Sequence, residues 1–406
     1  MTHPKRDLKN INFKTINNYS LQINRWCLKV LAAWPITNTL IEKIISFVMI
    51  IFWSVALAIV LIPCIFYVLL EDSDFATKIG IFGPLFNRIV GVISYWTLLK
   101  RRRDIRNCIR HMETDWQLIR RIEDREIMLQ YAKFGRFIAG FSAAFTQGGQ
   151  LLYSIAKSLR TTTIIVNNQT FITHPMTCPA YSRIIDTRFS PINEIMIVIQ
   201  FLTSCAVNCA IMSVCSLTGV LAMHACGQLR IMCVWLNKFV EDYKKVKTNS
   251  VELKLTTIIE HHLRVLSFIA NIENIMHKIC LVILSGCTIN MCLLGYYAIM
   301  NGSAFDTAKV ISYVTVYTAM GFNIFIFCYI GEILTEQSKN VGEMAYMINW
   351  YQLPHKTALC FILIIIRSNN VIKITAGKLI YLSIATFGDV IKTSMAYLNI
   401  LRTLTI

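Results

Sequence analysis

Near the C-terminus, Thr386, Asp389, Thr393, Ala396, Ile400 and Thr403 follow one another at steps of 3, 4, 3, 4 and 3 residues. That rhythm puts all six on one face of a single α-helix. An ionised carboxylate such as Asp389 is costly in hydrocarbon and faces a partner or an aqueous cavity. Lys392, three residues on, offers such a partner, and a transporter would use the same pair. The far end of the face favours a water-filled pore instead. A ring of Ile400 side chains closes a narrow conduit by dewetting, and hydroxyls at Thr403 beyond it replace part of a cation's hydration. One helix makes no ring, so a pore on this face requires an oligomer, most simply four subunits about one axis.

Other chemistries find little support. His224 with Cys226, and His261 with His262, do not set two ligands on one helix face, so no metal site is expected. No Ser/His/Asp or Cys/His constellation stands out, so no catalytic residues, no cofactor and no enzymatic activity are expected. Arg88, near the middle of an apolar run, points to a hydrated or paired site or serves to orient helices.

The elements that must carry these residues are membrane helices. The 406 residues are 55% hydrophobic, with a mean hydropathy of +0.52. Clear apolar runs cover Ile44–Leu70, Ile192–Ala222, Ile279–Met300, Val310–Ile330 and Gly377–Thr403. Two weaker ones, Ala76–Leu99 and Tyr131–Ile155, contain more small and polar residues, as helices inside a bundle do. The fold expected is therefore all-α and integral to the lipid bilayer, with seven transmembrane helices. No short apolar core follows Met1, so the first span is expected to act as the membrane anchor.

The net charge of +17 is not a nucleic-acid signature, because it alternates from loop to loop. Residues 1–43, 100–130, 225–278 and 331–378 hold 29 of the 40 Lys and Arg, whereas the alternate loops and the C-terminal end hold seven. By the positive-inside rule the N-terminus is cytosolic and, after seven spans, the C-terminus extracellular. A G-protein-coupled receptor would show the opposite asymmetry, so no G protein is expected. The chain divides into a cytosolic segment 1–43, spans one to six with cytosolic helical extensions over 44–330, a cytosolic anchor segment 331–376, and a pore-lining seventh span 377–406.

Two apolar stripes between spans four and five predict helices that continue past the bilayer and pack below it. They are Leu229, Met232, Cys233, Leu236 and Val240, then Leu255, Ile258, Ile259, Leu263 and Leu266. The Leu359–Ile366 run is too short to span. The external loop Lys157–Ser190 carries Asn168-Gln169-Thr170, a glycosylation acceptor sequence at Asn168. The 14 cysteines lie mostly in spans and cytosolic loops, as buried thiols rather than a disulfide framework.

Several motifs together resemble the insect odorant receptor family. They are Cys328-Tyr329-Ile330-Gly331-Glu332 with Ser338, Tyr346 and Trp350; Arg367-Ser368-Asn369 before Thr375-Ala376-Gly377-Lys378; and Phe387 through Lys392-Thr393-Ser394 to Tyr397-Leu398-Asn399-Ile400-Leu401-Arg402-Thr403. His224-Ala225-Cys226-Gly227-Gln228-Leu229 and Trp34-Pro35 also fit, and Asn24-Arg25-Trp26 is closest to receptors of ants, bees and wasps. Val371-Ile372 stands where a proline is common in the family. The ending differs from that of the sister gustatory receptors, which, with other seven-span receptors and the Asp389/Lys392 transporter, remain the alternatives.

The resemblance implies an odorant-gated, non-selective cation channel, formed as a heterotetramer with a shared odorant receptor co-receptor in the plasma membrane of a sensory neuron dendrite. This chain lacks the co-receptor's extended cytosolic loop and so resembles a ligand-tuning subunit. The resemblance makes the last helix line the pore for permeant cations, with Ile400 and Thr403 at the constriction. It also implies a pocket for a small volatile odorant in the outer half of the membrane, between spans two, three, four and six. The residues expected there are Asn87, Gly91, Ser94 and Tyr95; Phe145, Thr146, Gln150 and Tyr153; Met196 and Gln200; and Tyr313, Tyr317 and Met320.

Overall fold

An amphipathic helix, α1 (Phe13–Val30), opens the computed structural model, which describes residues 13–36, 39–71, 75–158, 161–166, 169–245, 250–300 and 307–405. Leu21, Asn24 and Leu28 recur at helical spacing and are fully buried. The chain then turns at Ala32, whose φ is 53°. Arg102 donates to the carbonyls of Ala32 and Ala33, and Arg106 Nε donates to the Pro35 carbonyl at 2.7 Å. The basic run after the second span is thus also a clamp on the Trp34-Pro35 segment.

Helix α2 (Leu40–Leu70) starts at Thr39, whose hydroxyl accepts from Glu42 N at 3.2 Å. It buries only the stripe Trp53, Leu57, Val60, Pro63 and Cys64, while Phe47, Val48, Ile51, Phe52 and Val55 remain exposed. An apolar surface of that extent belongs against lipid. Helices α3 (Phe75–Lys100), α4 (Arg102–Leu118) and α5 (Ile122–Ser158) follow, then a hairpin of β1 (Thr162–Val166) and β2 (Gln169–Thr173).

The central helix is α6 (Ile192–Lys245), which packs against α3, α5, α7 (Ser250–Met300) and α8 (Thr307–Met347). Residues 210–229 are buried on every side, so its sequence there shows no amphipathic period. At 1.5 Å per residue its 54 residues reach about 80 Å, far beyond the ~30 Å hydrocarbon layer. The excess lies at the basic end, where α6, α7 and α8 continue as a helical bundle with α4 and α9 (His355–Asn369).

A short 3₁₀ turn (Trp350–Gln352) precedes α9, and a two-stranded hairpin of β3 (Thr375–Ala376) and β4 (Ile380–Tyr381) leads into the last helix, α10 (Ile384–Thr405). Among the described residues, α2, α3, α6, α7 and α8 contain the five segments long and apolar enough to cross a membrane. The more polar α5 and α10 run beside them, α5 against α6 and α8, α10 against α7 and α8.

The structure departs from two expectations. The last helix begins at Ile384 rather than Gly377, because Gly377 and Lys378 adopt left-handed backbone in the hairpin turn. The second cytosolic stripe holds only in part: Leu255 and Ile258 are buried, but Leu263 is 59% exposed, and the buried face continues through His262, Val265 and Ile269. Thr386 lies in the first turn of α10, where its N–H bonds Ser383 Oγ at 3.2 Å and its hydroxyl donates to the Tyr381 carbonyl at 2.7 Å.

Candidate functional site

Away from the basic end, a cavity of about 350 Å³ opens between the helices. Its walls come from the first half of α3, the last turns of α5, the start of α6, the end of α7 and the start of α8, with Pro175 and Thr177 of the 157–190 loop beside them. Every one of these stretches lies toward the same end of the bundle. The loop is held there by Gln200, whose Oε1 accepts from Cys178 N at 3.2 Å and whose Nε2 donates to the Cys178 carbonyl at 2.5 Å. A hydrogen bond with the free Cys64 thiol, and the Arg88 guanidinium nearby, lower the pKa of the Cys178 thiol against the upward push of burial.

Two polar groups define the chemistry of the cavity. Arg88 is 4% exposed, and it donates to Thr203 Oγ1 at 2.8 Å, Ser204 Oγ at 2.7 Å and the Gln200 carbonyl at 3.2 Å. The α3 cation is therefore held by neutral oxygens of α6, not by a carboxylate. Asn290, 3% exposed on α7, donates from Nδ2 to the Gly286 carbonyl at 3.0 Å. That bond fixes the amide's orientation and leaves Oδ1 buried without a partner, 3.7 Å from where a Cβ on Gly83 would sit. An unmet acceptor beside the apolar side chains of Leu293 and Leu294 suits a ligand that carries a donor. On the α5–α6 side, Asn208 Nδ2 donates to Gln150 Oε1 at 2.9 Å, and Gln150 Nε2 to Ser154 Oγ at 3.0 Å, so that wall is already satisfied.

The candidate pore helix lies against α7 and α8 along one narrow stripe. Val390 and Ser394 are buried there, and Ser394 Oγ donates to its own helix at Val390. Asp389, Thr393, Ala396, Ile400 and Thr403 are all exposed on the single chain, Ile400 by 52%. No ion pair joins Asp389 to Lys392, and Thr403 bonds only its own helix carbonyls. The start of α10 is clamped from two helices. Glu332 of α8 accepts from Ile384 N at 3.1 Å, and a Cβ on Gly331 would lie 2.3 Å from the Leu382 carbonyl. Glu273 of α7 accepts from Thr375 N at 2.9 Å and from its hydroxyl, while Gly377 N donates to the His277 carbonyl at 2.7 Å.

The family model described as 7tm odorant receptor matches residues 74–395, most of the chain. The chain belongs to the insect odorant receptor family. Curated relatives in the family include odorant receptor 83a of Drosophila melanogaster, 22% identical over 155 residues, 38% of this chain and 34% of that one. Odorant receptor 10 of Aedes albopictus is 21% identical over 218 residues, 54% of this chain and 57% of that one. The chain thus spans about a third to just over half the length of these relatives. The structure of olfactory receptor OR5 from Machilis hrabei superposes with a TM-score of 0.78 at 14% identity, over 96% of this chain and 99% of that one. Its complex with eugenol gives 0.76 at 13%, over 97% and 100%. The shared fold is the seven-helix membrane fold of the insect odorant receptors, and membership sets the chain among receptors rather than enzymes.

In this odorant receptor the ligand residues expected from sequence fall into two groups. Asn87, Gln150, Tyr153, Tyr313 and Met320 line the cavity. The other eight pack away from it. Gly91 and Tyr95 border only a crevice of about 10 Å³, where a Cβ on Gly91 would lie 2.1 Å from Val207. Tyr95 donates to the Leu31 carbonyl at 3.1 Å and Ser94 to its own helix. Phe145 belongs to an aromatic row with Phe141 and Phe322, and Thr146 lies 3.5 Å from Asn323 Oδ1. Met196 is buried, Gln200 is spent on the loop, and Tyr317 sits outside the lining with its hydroxyl unpartnered.

The sequence placed a span at Ile279–Met300 but did not nominate it for the ligand site. Asn290, Leu293 and Leu294 line the cavity, and the signal was an amide in the middle of an apolar run. Asn168 lies outside the described residues. His224, weighed as a ligand, instead meets Asp115 at 2.9 Å, and Arg264 Nε donates to the same carboxylate at 2.6 Å. Burial pushes the Asp115 carboxyl up, but the His224 hydrogen bond and the neighbouring cations outweigh it and hold it below the usual range. That network ties α4, α6 and α7 together.

Proposed function

We propose that the chain is the odorant-binding, tuning subunit of a ligand-gated, non-selective cation channel, assembled as a heterotetramer with the shared co-receptor in the dendritic membrane of a sensory neuron. The N-terminus and basic end lie in the cytosol, and the C-terminus and the 350 Å³ cavity lie toward the outside. The ligand is a small volatile with one hydroxyl, set against Asn290 Oδ1, with its apolar body against Leu293, Leu294, Val316 and Met320. That a protein of this fold binds eugenol, a phenol, suits the same class. Burying roughly 250 Å² at about 25 cal/mol per Å² gives about 6 kcal/mol before binding costs, so affinity is micromolar at best.

The observation that carries the mechanism is that α8 serves both sites. Tyr313, Val316 and Met320 line the cavity, and Gly331 and Glu332 hold the start of α10 about 18 Å further along. A ligand that fits one position of α8 better than another shifts that equilibrium by its differential affinity and carries α10 with it. The exposed flank of α10 then faces the shared axis, where Ile400 closes the conduit and Thr403, Ala396, Thr393 and Asp389 line it.

Recording currents from cells that express this chain with and without the co-receptor, against a panel of volatile alcohols, tests the reading. Saturable cation currents that require both chains are expected. In parallel, cysteines placed at Thr393 and Ala396 should react with aqueous reagents applied to the open channel. Labelling from lipid alone would remove α10 from the pore.

A further inference from the structure

A second cavity, of about 270 Å³, lies at the basic end, remote from the odorant site. It is enclosed by the α4–α5 junction, the lower part of α6 and the start of α7. Arg120, Arg121, Lys238, Lys254 and Arg264 face it, against the carboxylates Asp115 and Asp124. Both carboxylates are already occupied. Asp115 holds His224 and Arg264, and Asp124 Oδ2 accepts from Trp235 Nε1 at 2.9 Å. Burial holds His261 below its ordinary pKa and hence neutral, while its Nε2 meets the Gln228 carbonyl at 3.1 Å. Lys238 is in turn paired with the exposed Glu123, so the excess of positive charge on the wall rests on Arg120 and Arg121.

Gln228 turns this excess into a site. Its residue is 2% exposed, it lines the cavity, and its side-chain Nε2 has no hydrogen-bond partner. A buried amide donor left unmet costs stability unless something supplies an acceptor. Around it lie Arg120 and Arg121, both exposed at the junction of two helices, with forked donors suited to phosphate oxygens.

We propose that this cavity binds a small, multiply charged phosphate ester, whose oxygens accept from Gln228 Nε2 inside and from Arg120 and Arg121 at the mouth. Such a group arrives either on a soluble metabolite or as the headgroup of a membrane lipid. Bound there, it bridges α4 and α5 to α6 and α7, the helices that continue upward into the odorant cavity.

The test uses the full chain, purified in detergent and titrated with inositol trisphosphate by calorimetry. The same chain in phosphatidylcholine nanodiscs is compared with and without phosphatidylinositol bisphosphate, with phosphatidylserine of equal charge as the reference. Saturable binding is expected in at least one arm. Binding of the soluble ester assigns a free phosphate, and binding of the lipid alone assigns a headgroup. Arg120→Gln with Arg121→Gln should weaken binding about tenfold. Gln228→Leu should weaken it several-fold with the fold intact. The exposed pair Arg103→Gln with Arg110→Gln removes equal charge outside the cavity and should change binding less than twofold. Both arginine pairs are surface changes, so they remain informative if the Gln228 variant unfolds. Absence of saturable binding in both arms, or equal losses from the two arginine pairs, overturns the site.

Discussion

Replacing Asn290 with Leu removes the buried, unpartnered acceptor that the proposed odorant site would offer its ligand. In the empty cavity Asn290 Oδ1 is buried and unpartnered, which costs about 1–3 kcal/mol relative to a satisfied acceptor. A ligand hydroxyl recovers that energy on binding. Leucine keeps the branched heavy-atom skeleton, with two bulkier methyl groups in place of the amide, and offers no acceptor, so an alcohol loses the same 1–3 kcal/mol, a rise in half-maximal concentration of about 5- to 150-fold. The matching methyl ether never donated and should shift less than threefold, or bind slightly better against the added apolar surface. The Gly286 carbonyl loses only a supplementary donor, since it remains within the helix. The assay is a dose–response of cation current for each alcohol–ether pair, with maximal current as the check on gating. Equal shifts for alcohol and ether, or none for the alcohol, would refute the assignment of Oδ1 as the ligand's acceptor.

Ile400→Ala should raise basal current or alter ion permeability, and unchanged values for both would remove Ile400 from the gate. Gly331→Ala forces a Cβ to within 2.3 Å of the Leu382 carbonyl, so evoked current should fall several-fold while surface expression persists; wild-type current would refute coupling through this contact. Burial, reinforced by the Arg367 charge, holds His262 down at about 4, so the unfolded chain takes up a proton first as pH falls from 6.5. Stability should drop by about 2 kcal/mol between pH 7 and 5 through this group, and His262→Gln should flatten the pH slope of thermal unfolding in detergent. Asp115→Asn strands Arg264 and His224 and should cost about 3–5 kcal/mol in chemical denaturation, partly restored by Arg264→Met; a neutral effect would mean the network is dispensable.

Composition and charge alone determined the membrane class and seven helical segments, because a bilayer admits few solutions for an apolar chain. The helix α10 packs along only one stripe, so Thr393, Ala396 and Ile400 are exposed on the single chain, as are Lys392, Met395, Tyr397 and Asn399 on its other sides. The motifs at Gly331-Glu332 and Thr375-Gly377 were legible as patterns but not as causes. Their reasons, a 2.3 Å approach to the Leu382 carbonyl and a left-handed φ of 65° at Gly377, appear only once α8, α10 and the hairpin meet.

The lining of the cavity was decided by tertiary structure. A bundle helix such as α3 touches neighbours on several sides, and nothing along its sequence says whether Asn87 or Ser94 faces an opening. That depends on how far each helix is rotated against α6, whose cavity-lining residues Ser204, Val207 and Asn208 precede the stretch 210–229 that is buried on every side. Hence Asn87 and Arg88 reached the cavity, Gly91 and Tyr95 closed against their neighbours, and Asn290 entered from a helix that spacing had not nominated. Local sequence sets what each helix can bury; only the rotation and contact of whole helices sets which of its polar atoms is left for a ligand.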